Sequence, residues 1–260
     1  MKYTKVHTLF FSPTHTSRIV AESVVKGLNA PRTDETNLTF ECPRKTITIE
    51  DSLAVIAVPV YGGRVAETAM ERLGKIRGKQ VPAILIVVYG NRDYEDALIE
   101  LRDYACEAGF IPVAAAAFIG EHSYSRPNMP IAAGRPDAAD EAKAVAFGRA
   151  VARKLEALQD CSNLPLLPVK GNVPYKTRGA KTPVTPLTLD ERCTRCRLCI
   201  DWCPTQAIKL QGTLVTDPQL CIKCCACVKV CPEQARIFDT PYTEMLYMNF
   251  RACREPEIFL

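Results

Sequence analysis

The sequence predicts an α/β protein: a doubly wound, five-stranded parallel sheet followed by a small cysteine-rich domain. Three observations predict it. In the first 160 of the 260 residues, uninterrupted apolar runs alternate with amphipathic stretches. Of the 13 cysteines, only Cys42, Cys106 and Cys161 fall in the first two thirds of the chain, whereas nine crowd between Cys193 and Cys231. Between these regions, residues 161–189 hold five prolines, four basic residues and no Asp or Glu, with neither a helical nor a strand period. The chain therefore reads as a first domain over 1–160, an extended Pro-rich linker over 161–189, a second domain over 190–235 and an aromatic-rich tail over 236–260 that packs on one of them.

Taken in order, Val6 to Phe11, Leu53 to Val58, Ala83 to Val88 and Val113 to Ile119 read as strands. They lack period-two alternation, which implies burial on both faces, as in a parallel sheet covered by helices on each side. Asn37 to Glu41 reads as a weaker edge strand. Helices are expected near 16–28, 66–77 and 138–158. Another carries Tyr94, Leu98, Leu101 and Ala105 at helical spacing, with Asp93 to cap it and Gly109 to stop it. In such a sheet the ligand crevice lies beyond the carboxyl ends of the strands.

Composition narrows the function. A hydrophobic fraction of 47% against 24% charged residues predicts a packed core, not disorder. A net charge of +4 is too mild to demand a nucleic-acid partner. No apolar run is long enough for a membrane span, and the start MKYTKVHTLFFSPTHTSR lacks the apolar centre of a signal peptide. A cytoplasmic location follows as the expectation. In that reducing compartment clustered cysteines hold metal or do redox chemistry rather than form disulfides.

The cysteines form an internal repeat. Cys193, Cys196, Cys199 and Cys203-Pro204 recur 28 positions later as Cys221, Cys224, Cys227 and Cys231-Pro232, and CPTQAI is answered by CPEQARI. Paired C-x2-C elements can build zinc ribbons, but zinc has no use for a third cysteine two residues on, whereas C-x2-C-x2-C-x3-C-P suits a cubane cluster. The repeat resembles a bacterial-type 2[4Fe-4S] ferredoxin, a small α+β fold of short strands and helices. That resemblance implies two [4Fe-4S] clusters. Cys193, Cys196, Cys199 and Cys231 would bind one, and Cys221, Cys224, Cys227 and Cys203 the other. Cys225 breaks the repeat and is not among these ligands. Arg195, Arg197, Lys223 and Lys229 read either as solubilising charge or as a face for an acidic redox partner. So small a domain must owe much of its stability to its inorganic cores.

Three loops at successive strand ends carry the other half. The first strand runs into Ser12-Pro13-Thr14-His15-Thr16-Ser17 and then a helix, bringing hydroxyls and backbone N–H groups to a positive helix end, which is a phosphate cradle. Without a Walker lysine or G-x-G-x-x-G, a single terminal phosphate fits best. Pro59-Val60-Tyr61-Gly62-Gly63 and Tyr89-Gly90-Asn91-Arg92-Asp93-Tyr94 each set an aromatic beside glycine, suited to a flat ring. FSPTHTSR is similar to the phosphate loop of flavodoxins. PVYGGRV together with YGNRDYEDAL resembles the flavodoxin domains fused to ferredoxin modules. The resemblance implies a flavodoxin-like sheet that binds FMN through Ser12, Thr14, His15, Thr16, Ser17, Pro59, Val60, Tyr61, Gly62, Gly63, Tyr89, Gly90, Asn91, Arg92 and Tyr94.

A fourth loop, Gly120 to Ser125, brings His122, Ser123 and Tyr124 to the same sheet edge, as a solvent-facing loop or as contacts to flavin or substrate. His7 reads as a packed or edge histidine, and Cys42 and Cys106 as incidental thiols. Cys161 and Cys253 have no evident partner. In the tail, Tyr242, Met245, Tyr247, Met248 and Phe250 have spacings that suit a packed face. Clusters pass single electrons and flavin passes one or two, so the leading expectation is an electron carrier between redox partner proteins, in an anaerobic setting. A reductase of a quinone or enone, with His122 or Tyr124 as proton donor, is the alternative. A domain that has lost FMN and docks a partner is the third.

Overall fold

The computed structural model describes residues 3–260. The first domain runs β1 (Lys5–Phe10), α1 (Thr16–Leu28), β2 (Arg32–Asn37), β3 (Ile47–Ile49), β4 (Leu53–Tyr61), β5 (Arg64–Val65), α2 (Glu67–Leu73), β6 (Ile76–Gly78), β7 (Val81–Tyr89), α3 (Ala97–Glu107), β8 (Phe110–Ile119) and α4 (Ala138–Ala157). Strands β2, β1, β4, β7 and β8 pair in that spatial order, all parallel. Numbered among themselves they follow 2-1-3-4-5, the order of the flavodoxin-like doubly wound sheet. Alternate residues face opposite layers: Leu9, Ile56 and Leu85 pack with Leu73, Leu98 and Leu101 of α2 and α3. Val6, Val55 and Ile84 pack with Val20, Val24, Phe147 and Val151 of α1 and α4. Both faces are dry, which explains the missing period-two pattern.

Three element boundaries differ from expectation. The edge strand is β2, not 37–41: its RTDETN side chains are mostly exposed and carry no apolar pattern, so pairing with β1 defines it. The expected helix over 66–77 stops at Leu73, where Gly74 N–H donates to Met70 O at 2.9 Å, and Ile76 instead opens β6 beside β3. Helix α3 begins at Ala97 after Asp96, since Asp93 accepts from Glu95 N at 2.8 Å and holds Tyr94 in a preceding turn. Gly109, with φ 85°, ends that helix as expected.

The chain then runs β9 (Leu187–Thr188), α5 (Leu198–Asp201), β10 (Ile208–Gln211), β11 (Thr213–Thr216), α6 (Ala226–Lys229), β12 (Arg236–Ile237), α7 (Pro241–Phe250) and β13 (Glu257–Phe259). The sequence repeat is a repeat of structure. Shifted by 28 positions, α5 falls on α6, and the Ile208↔Thr216 pairing recurs as Arg236↔Thr188. Left-handed backbone recurs too, at Arg195 and Lys223 (φ 57° each), Arg197 and Cys225 (68° and 56°), and Gln206 and Gln234 (54° and 49°). The apolar cluster here is small, with Cys199, Ile208 and Cys227 buried and Ile200, Leu214 and Val228 packed against them.

The expected linker has almost no regular structure, yet it is tied down along α3. Asp96 accepts from Asn172 N (2.8 Å), Asn172 Nδ2 (3.0 Å) and Lys176 N (2.6 Å), while Arg178 Nη2 donates to Glu100 at 2.9 Å. Its basic composition is thus matched to the acidic face of α3. The tail also returns to the first domain: β13 pairs antiparallel with β8, Glu257 opposite Ala117. Helix α7 buries Thr243 and Leu246, whereas Met245 and Met248 are exposed, so the packed face differs from the expected set.

Candidate functional site

A cavity of about 320 Å³, large enough for a small-molecule site, opens at the carboxyl ends of the parallel strands. It gathers Thr14 and Thr16 from the β1–α1 junction, Pro59 to Gly63 from the end of β4 onward, Tyr89, Gly90 and Arg92 from the end of β7 onward, and His122, Ser123 and Tyr124 after β8. The remaining residues expected at the site sit behind its walls. Ser12 Oγ accepts from Arg18 N at 3.1 Å and so closes the loop onto α1. Asn91 holds the tail, donating to Phe250 O (2.5 Å) and Ala252 O (2.8 Å). Tyr94 is buried, its hydroxyl donating to Glu257 at 2.6 Å, so it offers no face to the cavity.

The fit to a flavin phosphate rests on α1. His15 adopts φ 65° and starts the helix, leaving first-turn N–H groups without intrahelical partners. No acidic residue stands in that turn to compete for them. Ser17 Oγ is buried beside them and has no partner among the described residues. An orphaned hydroxyl at a positive helix end is what an anion would satisfy. At the ring end, Gly62 exposes backbone at φ 63° with nothing within 4 Å of an added Cβ. A Cβ on Gly90 would collide with His122, so that glycine lets the two loops meet.

His122 is held as a neutral group. Its Nδ1 accepts from Tyr124 N at 3.0 Å, which leaves the proton on Nε2. Burial lowers its pKa to about 4, with the positive charges of Arg92 and Lys229 acting in the same sense. Burial raises the Tyr124 hydroxyl, and the nearby thiols of Cys225, Cys221 and Cys224 add to the shift. Both side chains therefore keep the neutral protonation state across the physiological range.

The eight repeat cysteines line two further cavities of matching size. Cys193, Cys196, Cys199 and Cys231 surround one, and Cys203, Cys221, Cys224 and Cys227, with Cys225 beside them, the other. The last cysteine of each run thus crosses to the opposite cavity. The crossing thiols accept equivalent bonds, Ala207 N to Cys203 Sγ and Ala235 N to Cys231 Sγ, each at 3.2 Å. Among the described residues, no three His, Cys, Asp or Glu side chains form a group that could hold a single metal ion. Burial pushes the Cys227 thiol up to about 11, with the Arg236 guanidinium acting in the opposite sense.

The seam between the halves brings together residues that spacing did not reveal. Ile222 lines both the strand-end cavity and the Cys203/Cys221/Cys224/Cys227 cavity, and Lys223 joins it at the former. Cys225 is buried there, its thiol donating to Lys223 O at 3.6 Å. Arg72 of α2 donates to Leu38 O (2.7 Å) and Thr39 O (2.5 Å) through Nη1 and to Pro204 O (2.6 Å) through Nη2. Trp202 sets its ring 5.4 Å from His15 and 5.6 Å from Phe40. His15 therefore contributes to the seam instead of the cavity. Lys229 of α6 pairs with Glu121 and donates to Ser125 O at 2.9 Å. In the sequence, the hint lay in Lys223 and Lys229, whose charge here faces the first half of the same chain.

A family model described as a 4Fe-4S binding domain matches residues 214–237. A search of curated proteins returns no match. Among solved structures the chain is similar to a flavodoxin from the domain Archaea, at 12% identity and a TM-score of 0.37 over 58% of this chain and 99% of that one. It is similar to rubredoxin oxygen:oxidoreductase from the anaerobe Desulfovibrio gigas at 11% identity and 0.39, covering 59% of this chain and 36% of that one. A third is an FMN-dependent NADH-azoreductase from Bacillus anthracis in complex with FMN, at 12% identity and 0.38 over 58% and 99%. A flavodoxin-like strand order and a 4Fe-4S binding segment thus stand in one chain. No helix among the described residues is long and apolar enough to cross a membrane.

Proposed function

We propose that the chain is an electron-transfer protein holding two [4Fe-4S] clusters and one FMN, and that it converts between one-electron and two-electron carriers. The observation that carries this reading is the shared wall. Ile222, between Cys221 and Cys224, faces the strand-end cavity on one side and the cysteine cavity on the other. When bound, the clusters supply one-electron chemistry and the flavin one- or two-electron chemistry.

The chain's own residues bind and orient these groups. Thr14, Thr16, Ser17 and the first-turn amides of α1 would hold the phosphate, and the loops at Pro59 to Gly63 and at Tyr89, Gly90 and Arg92 the ring. Cys193, Cys196, Cys199 and Cys231 would hold the outer cluster, and Cys203, Cys221, Cys224 and Cys227 the one at the seam. Arg72, Trp202 and Lys229 fix the spacing between the halves, which a carrier working by short hops requires. The reductase alternative needs a proton donor over the ring. With His122 neutral above about pH 4, its Nε2–H serves as a hydrogen-bond donor on the cavity wall.

Anaerobic purification followed by iron, sulfide and flavin assays tests the reading. The expected result is about eight irons and about one FMN per chain. Zinc in place of iron and sulfide, or a first domain that takes up no flavin, would overturn it.

A further inference from the structure

Position 236 departs from the internal repeat. Its counterpart is Ile208, buried and apolar, but Arg236 places a guanidinium there at 2% exposure. Nη1 donates to Thr188 Oγ1 at 2.6 Å and Nη2 to Thr216 Oγ1 at 2.8 Å, two threonines that are themselves repeat-equivalent. Nη2 also lies 3.8 Å from Cys227 Sγ. The same side chain forms part of the wall of the cavity bounded by Cys193, Cys196, Cys199 and Cys231. One cation thus touches a thiol of one cavity and lines the other. Its hydrogen-bond partners are two hydroxyls and a thiol, with no carboxylate among them, and the buried Nε has no partner among the described residues.

A guanidinium is kept out of water only where negative charge compensates it. A cubane held by four thiolates is such an anion, and gaining an electron makes it more negative still. We propose that Arg236 sets the reduction potentials of both [4Fe-4S] centres by placing one buried positive charge between them. The inference rests on the two-cluster reading above. Each reduction adds one electron from an external donor, and the fixed cation stabilises the more negative product, so both potentials rise. The centre bound through Cys227 receives the N–H···S contact as well and is raised more. That centre lies at the seam, so electrons arriving at the outer cluster run inward, toward the strand-end cavity.

The test uses the full-length protein purified anaerobically. Iron and sulfide are assayed first, and each cluster is then titrated with dithionite under EPR. In Arg236→Gln, the reduced-to-oxidised ratio of the seam cluster at a fixed potential should fall about tenfold, equivalent to ~59 mV for one electron. The outer cluster should fall by less, and Arg236→Lys should recover most of the difference. Wild-type titration curves in an iron-replete Arg236→Gln overturn the proposal. Should that variant lose iron, Arg236→Ile, which restores the repeat-equivalent residue, is titrated instead. Loss of iron from both neutral variants would make the role structural and also overturns it. Wild-type protein without iron and sulfide overturns the two-cluster reading itself, and the proposal with it.

Discussion

His122 illustrates how one side chain's environment decides its chemistry. An exposed imidazole titrates near pH 6.5, but burial beside Arg92 and Lys229 brings this one to about 4. Its folded pKa is depressed, so between about pH 4 and 6.5 the unfolded chain binds a proton that the folded chain does not. Stability from this group is complete above that window and is lost as pH falls through it. Going from pH 7 to pH 5 should cost about 2 kcal/mol through His122 alone. Urea unfolding of wild type and His122→Asn at both pH values isolates the effect, because the other titrating groups are shared. An equal drop in the two proteins would show that the imidazole is not buried as described. The sequence placed His122 at the correct sheet edge, since loop position follows from strand order. It could not supply the protonation state, which follows first from burial and then from the charges of Arg92 and Lys229.

At the scale of elements, apolar content was the deciding signal. Strands β1, β4, β7 and β8 were legible because burial on both faces demands unbroken apolar runs. Strand β2 was not, because its side chains meet solvent and backbone pairing alone defines it. Strand β13 was equally hidden: three residues at the end of a tail gain a partner only once β8 has an open edge. The Pro-rich stretch, expected to be an extended linker, has almost no regular structure, and its attachment depends on acidic residues of a helix far away in sequence. Asp96 alone takes two backbone amides and one side-chain amide from residues 172–176. Hydrogen bonds to a buried carboxylate contribute about 1.5–3 kcal/mol each, so Asp96→Ala should free this strap while the sheet persists. Trypsin provides the measurement: cleavage after Lys170, Lys176, Arg178 or Lys181 should become much faster than in wild type. An unchanged digestion pattern would mean that the strap is held by something else.

For the whole molecule, the two halves are stabilised by different means. The first domain buries two apolar layers around its sheet, whereas the second has one small apolar cluster around Cys199, Ile208 and Cys227. A segment with so little apolar burial cannot offset the entropy of ordering its own backbone. On the proposed two-cluster reading, bonds from its eight cysteines to metal make up the difference, and the repeat that carries them is the most legible feature of the sequence. The seam contacts of Arg72, Trp202 and Lys229 presuppose a folded second half and cannot replace that source of stability. Removing iron with a chelator under reducing conditions should therefore unfold one half and spare the other. In hydrogen exchange, amides over 190–237 should lose protection, while those of β1, β4, β7 and β8 keep it. Strand β13 is the discriminating element, because it follows the cysteines in sequence but pairs with β8 and accepts the Tyr94 hydroxyl through Glu257 at 2.6 Å. Its amides should stay protected after iron is lost. Protection retained across 190–237 would instead mean that the fold of the second half precedes its metal, and exposure of β13 that the sheet depends on the clusters.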